Sequence, residues 1–89
     1  MDKKEMPFEV GKSYFIRTVT YHVLGMVKKI TGDFLELDHA SWIADSGRFG
    51  EAITKGVLSE VEYVGTAIVN TNAVTDAYLW VHDLPDKTK

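Results

Sequence analysis

A run of alternating side chains near the start of the chain sets the strongest limit on its fold. Over residues 13–30, β-branched and aromatic residues alternate, so that Tyr14 and Ile16 lie on one face of a strand and Phe15 on the other. Gly25 marks either a turn or a bend where a second strand begins. The pattern predicts a long first strand that is followed directly by another.

The remaining predicted elements are short. Gly32 and Asp33 predict a turn that joins two strands as a hairpin, because glycine takes positive φ at no steric cost and aspartate bonds its neighbouring backbone. Apolar residues recur at helical spacing between Asp45 and Gly56 and predict one short helix. Asp45 or Ser46 can cap the start of this helix, and Gly56 can end it. Further strands are expected over residues 34–38, 57–64, 67–69 and 73–81.

These elements predict a mainly β fold. We expect a small, strongly bent antiparallel sheet or partly open barrel of the SH3-like or Sm-like kind, with one short helix. A parallel sheet would need crossover helices that an 89-residue chain is too short to hold. A single barrel-like domain is expected over residues 8–85, with flexible termini at 1–7 and 86–89.

Composition narrows the classes of function. The absence of cysteine excludes a disulfide scaffold, a thiolate zinc site and a cysteine nucleophile. A net charge of -3 disfavours a protein that gains its affinity from nucleic-acid phosphates. No apolar run is long enough for a membrane span or a signal peptide, so a cytoplasmic protein is expected. The small core makes a homo-oligomer plausible, because association adds stability.

Two family resemblances stand out. Residues 24–30 and 32–37 resemble the first motif of Sm-like proteins, in which a glycine, here Gly25, bends the second strand before a hairpin. A wider set, residues 16–21, 40–49, 60–62 and 80–85 together with Gly25, resembles a family of small uncharacterised proteins from bacteriophages and prophages. The second resemblance implies a viral accessory protein that works in the host bacterial cytoplasm, and it implies no particular reaction.

The segment 42–49 carries the main candidate binding residues. Trp42 offers a plane on which a base can stack, and Arg48 offers a planar set of donors that suits phosphate or carboxylate. With Asp45, they suit a nucleotide-like ligand. The alternative is structural: Trp42 and Ile43 plug the end of the barrel, Asp45 caps the helix, and Arg48 pairs with Asp45 or Glu51.

A second polar cluster lies on the predicted first strand and extends the candidate site with Arg17 and Tyr21. Together with Thr18, Thr20 and His22 these residues line a polar groove or a subunit interface, or they form an ordinary exposed sheet face. His22, His39 and His82 lack metal-ligand spacing, and no serine has the setting of a nucleophile elbow. We therefore expect no metal, no cofactor and no enzymatic activity.

Three functions follow as hypotheses. The first is a non-catalytic, oligomeric phage-type protein that binds a small anionic or nucleotide-like ligand and so sequesters a host defence signal. The second is a protein-protein interaction module that acts on a host or virion protein. The third is an Sm-like binder of single-stranded nucleic acid, for which the net charge is unfavourable.

Overall fold

Five β-strands and one α-helix make up the computed structural model, which describes residues 7–87. The elements in chain order are β1 (Ser13–Thr18), β2 (His22–Thr31), β3 (Phe34–Asp45), α1 (Phe49–Lys55), β4 (Glu60–Asn70), a 3₁₀ turn (Thr71–Ala73) and β5 (Val74–Trp80). The mainly β fold with one short helix is thus confirmed. Of the flexible termini predicted at 1–7 and 86–89, residues 1–6 and 88–89 lie outside the described residues.

The strands form one antiparallel sheet in the order β4-β3-β2-β1-β5. Successive strands from β1 to β4 pair with their neighbours, and β5 returns to pair with β1. Strands β4 and β5 are therefore the two edges, and the sheet is not closed by pairing between them. Over residues 7–87 no helix has both the length and the apolar character needed to cross a membrane.

The connection between β4 and β5 forces the sheet to bend. Strand β4 ends where Asn70 pairs with Phe34 at the β2–β3 hairpin, whereas β5 begins where Val74 pairs with Thr18. In a flat sheet the nine residue-to-residue steps along the ten-residue β2, from His22 to Thr31, would separate these points by about 30 Å. Four Cα–Cα steps span at most about 15 Å. The hairpin must therefore fold back toward the end of β1, and the amide N of Thr71 donates to the Asp33 carbonyl oxygen at 2.8 Å across this closure.

Gly25 lies where β2 and β3 change direction. The register between the two strands shifts between Leu24 and Met26, opposite His39, which has a positive φ of 50°. A Cβ at Gly25 would lie 3.1 Å from the Leu37 Cβ, which is closer than most side chains approach. Of the two readings of Gly25, the structure shows the bend, and absence of a side chain permits it.

Two apolar clusters pack on opposite faces of the sheet. Consecutive residues of β1 are buried, because its two faces contact different clusters: Tyr14 and Ile16 face one, and Phe15 faces the other. The interior of the bent sheet holds Phe8, Tyr14, Ile16, Val23, Val27, Leu35, Leu37, Ala40 and Val69. Beneath the helix lie Phe15, Leu24, Ile43, Ala52, Leu58, Val61 and Trp80. The helix thus covers the outer face of only part of the sheet.

The predicted elements differ from the structure in several of their bounds. The first strand is shorter than predicted, because it ends at Thr18 and β2 begins at His22, before Gly25. The strand predicted over residues 34–38 continues to Asp45. The helix ends at Gly56 in the left-handed conformation, as predicted, but its N-cap is Arg48, and the expectation that Asp45 or Ser46 caps it is wrong. Strand β4 is continuous from Glu60 to Asn70, whereas the sequence predicts two separate strands around Gly65. Gly65 has a positive φ of 86° beside a register shift, so it marks an irregularity within one strand.

The bend generates a stability prediction. Replacing Gly25 with valine puts methyl groups against Leu37 and Ala40, so the free energy of unfolding should fall by about 1–3 kcal/mol in urea denaturation. Gly50→Ala is the control, because nothing lies within 4 Å of a Cβ there and alanine favours the helix. Equal stability of Gly25→Val and the wild type would show that the bend does not depend on close approach at Gly25.

Candidate functional site

One row of side chains crosses all five strands on the face that α1 covers. Strand pairing aligns Asp76 of β5 with Arg17 of β1, Arg17 with His22 of β2, His22 with Ile43 of β3, and Ile43 with Val61 of β4. Directly opposite residues on paired strands point to the same face, so each of these five side chains lies beside the next one across the sheet. The charged half of the row lies toward β5 and the apolar half toward β4.

Arg17 forms a bidentate ion pair with Asp76. Its Nε donates to one carboxylate oxygen at 2.7 Å, and its Nη2 donates to the other oxygen and to the Tyr78 hydroxyl oxygen, the latter at 3.2 Å. The Tyr78 hydroxyl in turn donates to Asp76 Oδ2 at 2.9 Å. Each of the three groups is therefore hydrogen-bonded to the other two. The guanidinium and the carboxylate are joined by two N–H···O hydrogen bonds, the arrangement that their planar shapes favour.

The network shifts the ionisation of both charged groups. Hydrogen bonds from Arg17 lower the pKa of Asp76 from 3.8 to about 2, opposed by partial burial and aided by the hydroxyl of Tyr78. The hydrogen bond to Asp76 raises the pKa of Arg17 further above its usual range. Both groups therefore remain charged and paired at neutral pH.

The guanidinium also contacts the helix. The Arg17 Cζ lies 4.6 Å from the centroid of the Phe49 ring, at the first residue of α1, and 5.5 Å from that of Tyr78. Phe49 packs edge-on against Tyr78 at 5.0 Å and against Phe15 at 5.6 Å. Arg17 thus joins β1, β5 and α1 by cation–π contact as well as by the ion pair. Its surroundings give it a structural role.

A separate cleft lies on the β2–β3 side of the row. It has a volume of about 230 Å³ and is lined by Thr20, Tyr21, His22, Trp42, Ile43 and Ala44. Trp42 and Tyr21 remain 42% and 38% exposed, whereas Ile43 is buried in the core. Neither residue of the pair expected to plug the barrel lies in the interior cluster, because Ile43 packs beneath the helix and Trp42 is exposed. The exposed indole and phenol share one opening, as a stacking site requires.

The turn that carries Tyr21 is held by the buried Thr18. Its Oγ1 donates to the Tyr21 carbonyl oxygen at 2.7 Å and accepts from the backbone N of Thr20 and of Tyr21 at 3.3 and 3.0 Å. The Tyr21 carbonyl oxygen also accepts from the Thr18 backbone N at 2.8 Å. One wall of the cleft is therefore ordered by local hydrogen bonds.

Asp45 and Arg48 lie beyond the cleft. Asp45 Oδ1 accepts from the Gly47 backbone N at 2.8 Å and so shapes the turn before α1. Arg48 lines a groove of about 530 Å³ with Phe49, Gly50, Glu51 and Thr54. Its guanidinium is in none of the ion pairs formed among residues 7–87, so the expected pairing with Asp45 or Glu51 does not form.

The structure therefore divides the five predicted binding residues. Tyr21 and Trp42 share the cleft, and Arg48 lies in a separate groove. Asp45 shapes the turn before α1, and Arg17 is bound to Asp76. No sequence motif marks Asp76 or Tyr78 as functional, and Phe49 stands out only as an apolar residue of the predicted helix. The only signal for the first two is their spacing of two residues on a predicted strand, which places both on one face, and nothing in the sequence shows which strand lies beside it.

Other groups with reactive side chains do not converge. Within residues 7–87, no three His, Asp or Glu side chains lie close enough to hold a metal ion. The Ser41 hydroxyl is fully buried, and in the described part of the chain it has no hydrogen-bond partner. His82 Nε2 lies 2.8 Å from the Ile53 carbonyl oxygen and connects the C-terminal segment to α1.

Comparisons with models of protein families, with curated proteins and with solved structures find no match.

The Arg17–Asp76 pair predicts a pH-dependent contribution to stability. Because the pKa of Asp76 is lowered from 3.8 to about 2 by folding, its contribution is complete above about pH 4 and is lost as the pH falls toward 2. The difference in unfolding free energy between wild type and Asp76→Asn should therefore shrink between pH 4 and pH 2. Asp86→Asn, an exposed aspartate, is the matched control. A difference independent of pH would contradict the pairing.

Substitution of Ser41 is predicted to raise the free energy of unfolding. A buried hydroxyl without a partner costs about 1–3 kcal/mol of desolvation, and alanine removes that cost. Ser41→Ala should therefore unfold at a higher urea concentration than the wild type. Ser59→Ala, at an exposed serine, serves as the control. A loss of stability in Ser41→Ala would show that the hydroxyl is satisfied, for example by a bound water.

Proposed function

We propose that this protein is a non-catalytic binding protein that captures a small nucleotide-like ligand by stacking the ligand's flat ring in the cleft of Tyr21 and Trp42. One observation carries the proposal: Tyr21 and Trp42, which line the same cleft, are both exposed, at 38% and 42%. Aromatic planes open to solvent beside polar groups are what base stacking uses.

The size of the cleft limits what part of the ligand enters it. Pockets that enclose whole small molecules measure about 300–1,000 Å³. The cleft, at about 230 Å³, suits a single ring system. The sugar and phosphate of a nucleotide would therefore lie outside, at the surface.

The charges around the cleft favour an anionic group of the ligand on the side away from Glu62. Thr20 and His22 line the cleft and offer hydrogen-bond donors, and the exposed Arg48 lies along the chain beyond it. On the other side of Trp42, Glu62 stands directly opposite it on β4 and repels an anion. Arg17 is engaged by Asp76 and has no part in the proposal.

Binding without catalysis is consistent with the side chains of the cleft. Among the described residues that line it, no hydroxyl is hydrogen-bonded to the imidazole of His22, the pairing that activates a nucleophile. A protein that only binds acts by lowering the free concentration of its ligand. In the phage setting that the sequence suggests, the ligand would be a nucleotide signal of host defence in the bacterial cytoplasm.

A second candidate, a protein-interaction module, is favoured by another cleft. This cleft has a volume of about 360 Å³ and is lined by Thr31, Phe34, Glu36 and Ile68. It lies on the part of the outer face that α1 leaves uncovered, and Phe34 and Ile68 are 47% and 66% exposed there. Exposed apolar side chains grouped in this way mark contact surfaces. We rank this function second because no feature there selects a particular partner.

Intrinsic fluorescence tests the leading proposal. The chain has two tryptophans, of which Trp42 is exposed at the cleft and Trp80 is 3% exposed in the core. Purine mononucleotides and cyclic dinucleotides should quench the Trp42 component, and calorimetry should show that Trp42→Ala weakens binding about tenfold or more, since stacking contributes about 1–3 kcal/mol per base.

Two controls make the outcome decisive. Phe34→Leu removes an exposed aromatic ring away from the cleft and should leave nucleotide affinity unchanged. A short single-stranded oligonucleotide tests the nucleic-acid alternative, whose binding should weaken steeply with salt. If none of the nucleotides binds to folded wild-type protein, or if folded Trp42→Ala binds with wild-type affinity, the proposed site is wrong.

A further inference from the structure

We propose that two copies of this chain pair through the free edge of β5, in antiparallel orientation about a two-fold axis at Tyr78. The proposal is independent of the ligand assigned to the cleft. It rests on the regularity of this edge, on the side chains it presents and on its lack of unbalanced charge.

The edge is regular over residues 76–80. These residues keep an unbroken register with β1, from Arg17 opposite Asp76 to Ser13 opposite Trp80. The one register shift of this strand pair lies outside the segment, where the pairing passes from Arg17 opposite Asp76 to Thr18 opposite Val74. Backbone groups of an antiparallel strand point alternately to its two sides, so half of those in this segment point away from β1. Within residues 7–87 these outward groups have no backbone partner.

The edge also lacks the residues that usually protect such strands. Sheet edges avoid association by carrying lysine, proline or a bulge, or by being short. Strand β5 contains no lysine or proline, and the exposed apolar side chains Leu79 and Val81, at 49% and 73%, lie at its end. A partner strand placed there would gain both hydrogen bonds and apolar contact.

Charge favours self-pairing at β5 over self-pairing at β4. The only charged residue of β5 is Asp76, and its carboxylate is neutralised by the bidentate contact with Arg17. Strand β4 presents Glu60 and Glu62, which are exposed and belong to no ion pair formed in the described part of the chain. Its register is also interrupted at Gly65. A contact between two β4 edges would include these uncompensated carboxylates, whereas a contact between two β5 edges would include none.

Symmetry selects the register. In a two-fold antiparallel pair, opposite residues share a face, so the axis passes through one residue of each strand. Placing it at Tyr78 pairs all of residues 76–80: Asp76 opposite Trp80 of the second copy, Ala77 opposite Leu79, and Tyr78 opposite itself. A shift of the axis leaves part of the segment unpaired. The result is one continuous ten-stranded sheet, with the two aromatic clefts on separate halves.

Engineered disulfides test both the contact and the register. The chain contains no cysteine, so a single introduced cysteine can cross-link only to another copy. Residues 77 and 79 of opposite copies would have Cα atoms about 4.5–5.5 Å apart, within disulfide range, whereas two copies of residue 77 would be about 8 Å apart. A mixture of Ala77→Cys and Leu79→Cys should therefore form a disulfide dimer under mild oxidation, and each variant alone should form it several-fold more slowly.

Light scattering on the chromatographic peak gives the second readout. Wild-type protein should show twice the chain mass at sub-millimolar concentration, and Leu79→Lys should shift the peak to the monomer mass. Ile68→Lys introduces the same charge at a more exposed apolar residue of the other edge and should leave the dimer intact.

Three results would overturn the proposal. A wild-type monomer at all soluble concentrations excludes the dimer. Dissociation by Ile68→Lys but not by folded Leu79→Lys would locate the contact at β4. Disulfide formation that is no faster in the mixture than in the single variants would contradict the register about Tyr78.

Discussion

The fold depends on a bend that brings the β2–β3 hairpin back to the end of β1. The three-residue turn between β4 and β5 can connect its strands only if the sheet folds over, and the interior cluster of apolar side chains is enclosed by that movement. Gly25 and His39 meet the requirement at adjacent points, the first by having no side chain and the second by its positive φ. The bend thereby sets where the strands that form the aromatic cleft and the free edges lie.

The outer face is organised by charge rather than by apolar burial alone. Arg17 contacts Asp76 and Tyr78 on β5 and the Phe49 ring on α1, so a single guanidinium links the sheet edge to the helix. The ion pair is partly exposed, and its contribution therefore depends on geometry and hydrogen bonding more than on Coulomb attraction in a dry interior. By neutralising Asp76, the same contact leaves the β5 edge without net charge.

The sequence could predict much of the fold but only part of the site. Alternation over residues 13–30, the Gly32–Asp33 turn and the stop at Gly56 are local signals. The structure has strands, a hairpin and a helix end at these places, but the first strand is shorter than the alternation predicts. Its position before an apolar helical pattern predicts Asp45 as a helix cap, yet its carboxylate accepts a hydrogen bond from the Gly47 backbone N within a turn before the helix. Ile43 and Trp42 are adjacent apolar residues with similar local signals, and only their opposite sides of β3 decide that the first is buried and the second exposed.

By itself the sequence determined the β-rich class, the single short helix and the exclusion of thiol chemistry, because these depend on side-chain period, turn residues and composition. Tertiary structure alone decided which residues meet. Arg17 and Asp76 are separated by 59 positions, and their pairing exists because β5 returns to β1 across the closed bend. The same strand order brings Tyr21 and Trp42 to one cleft and leaves the edges of β4 and β5 open. Such contacts between distant positions depend on strand order and register, which no local pattern specifies.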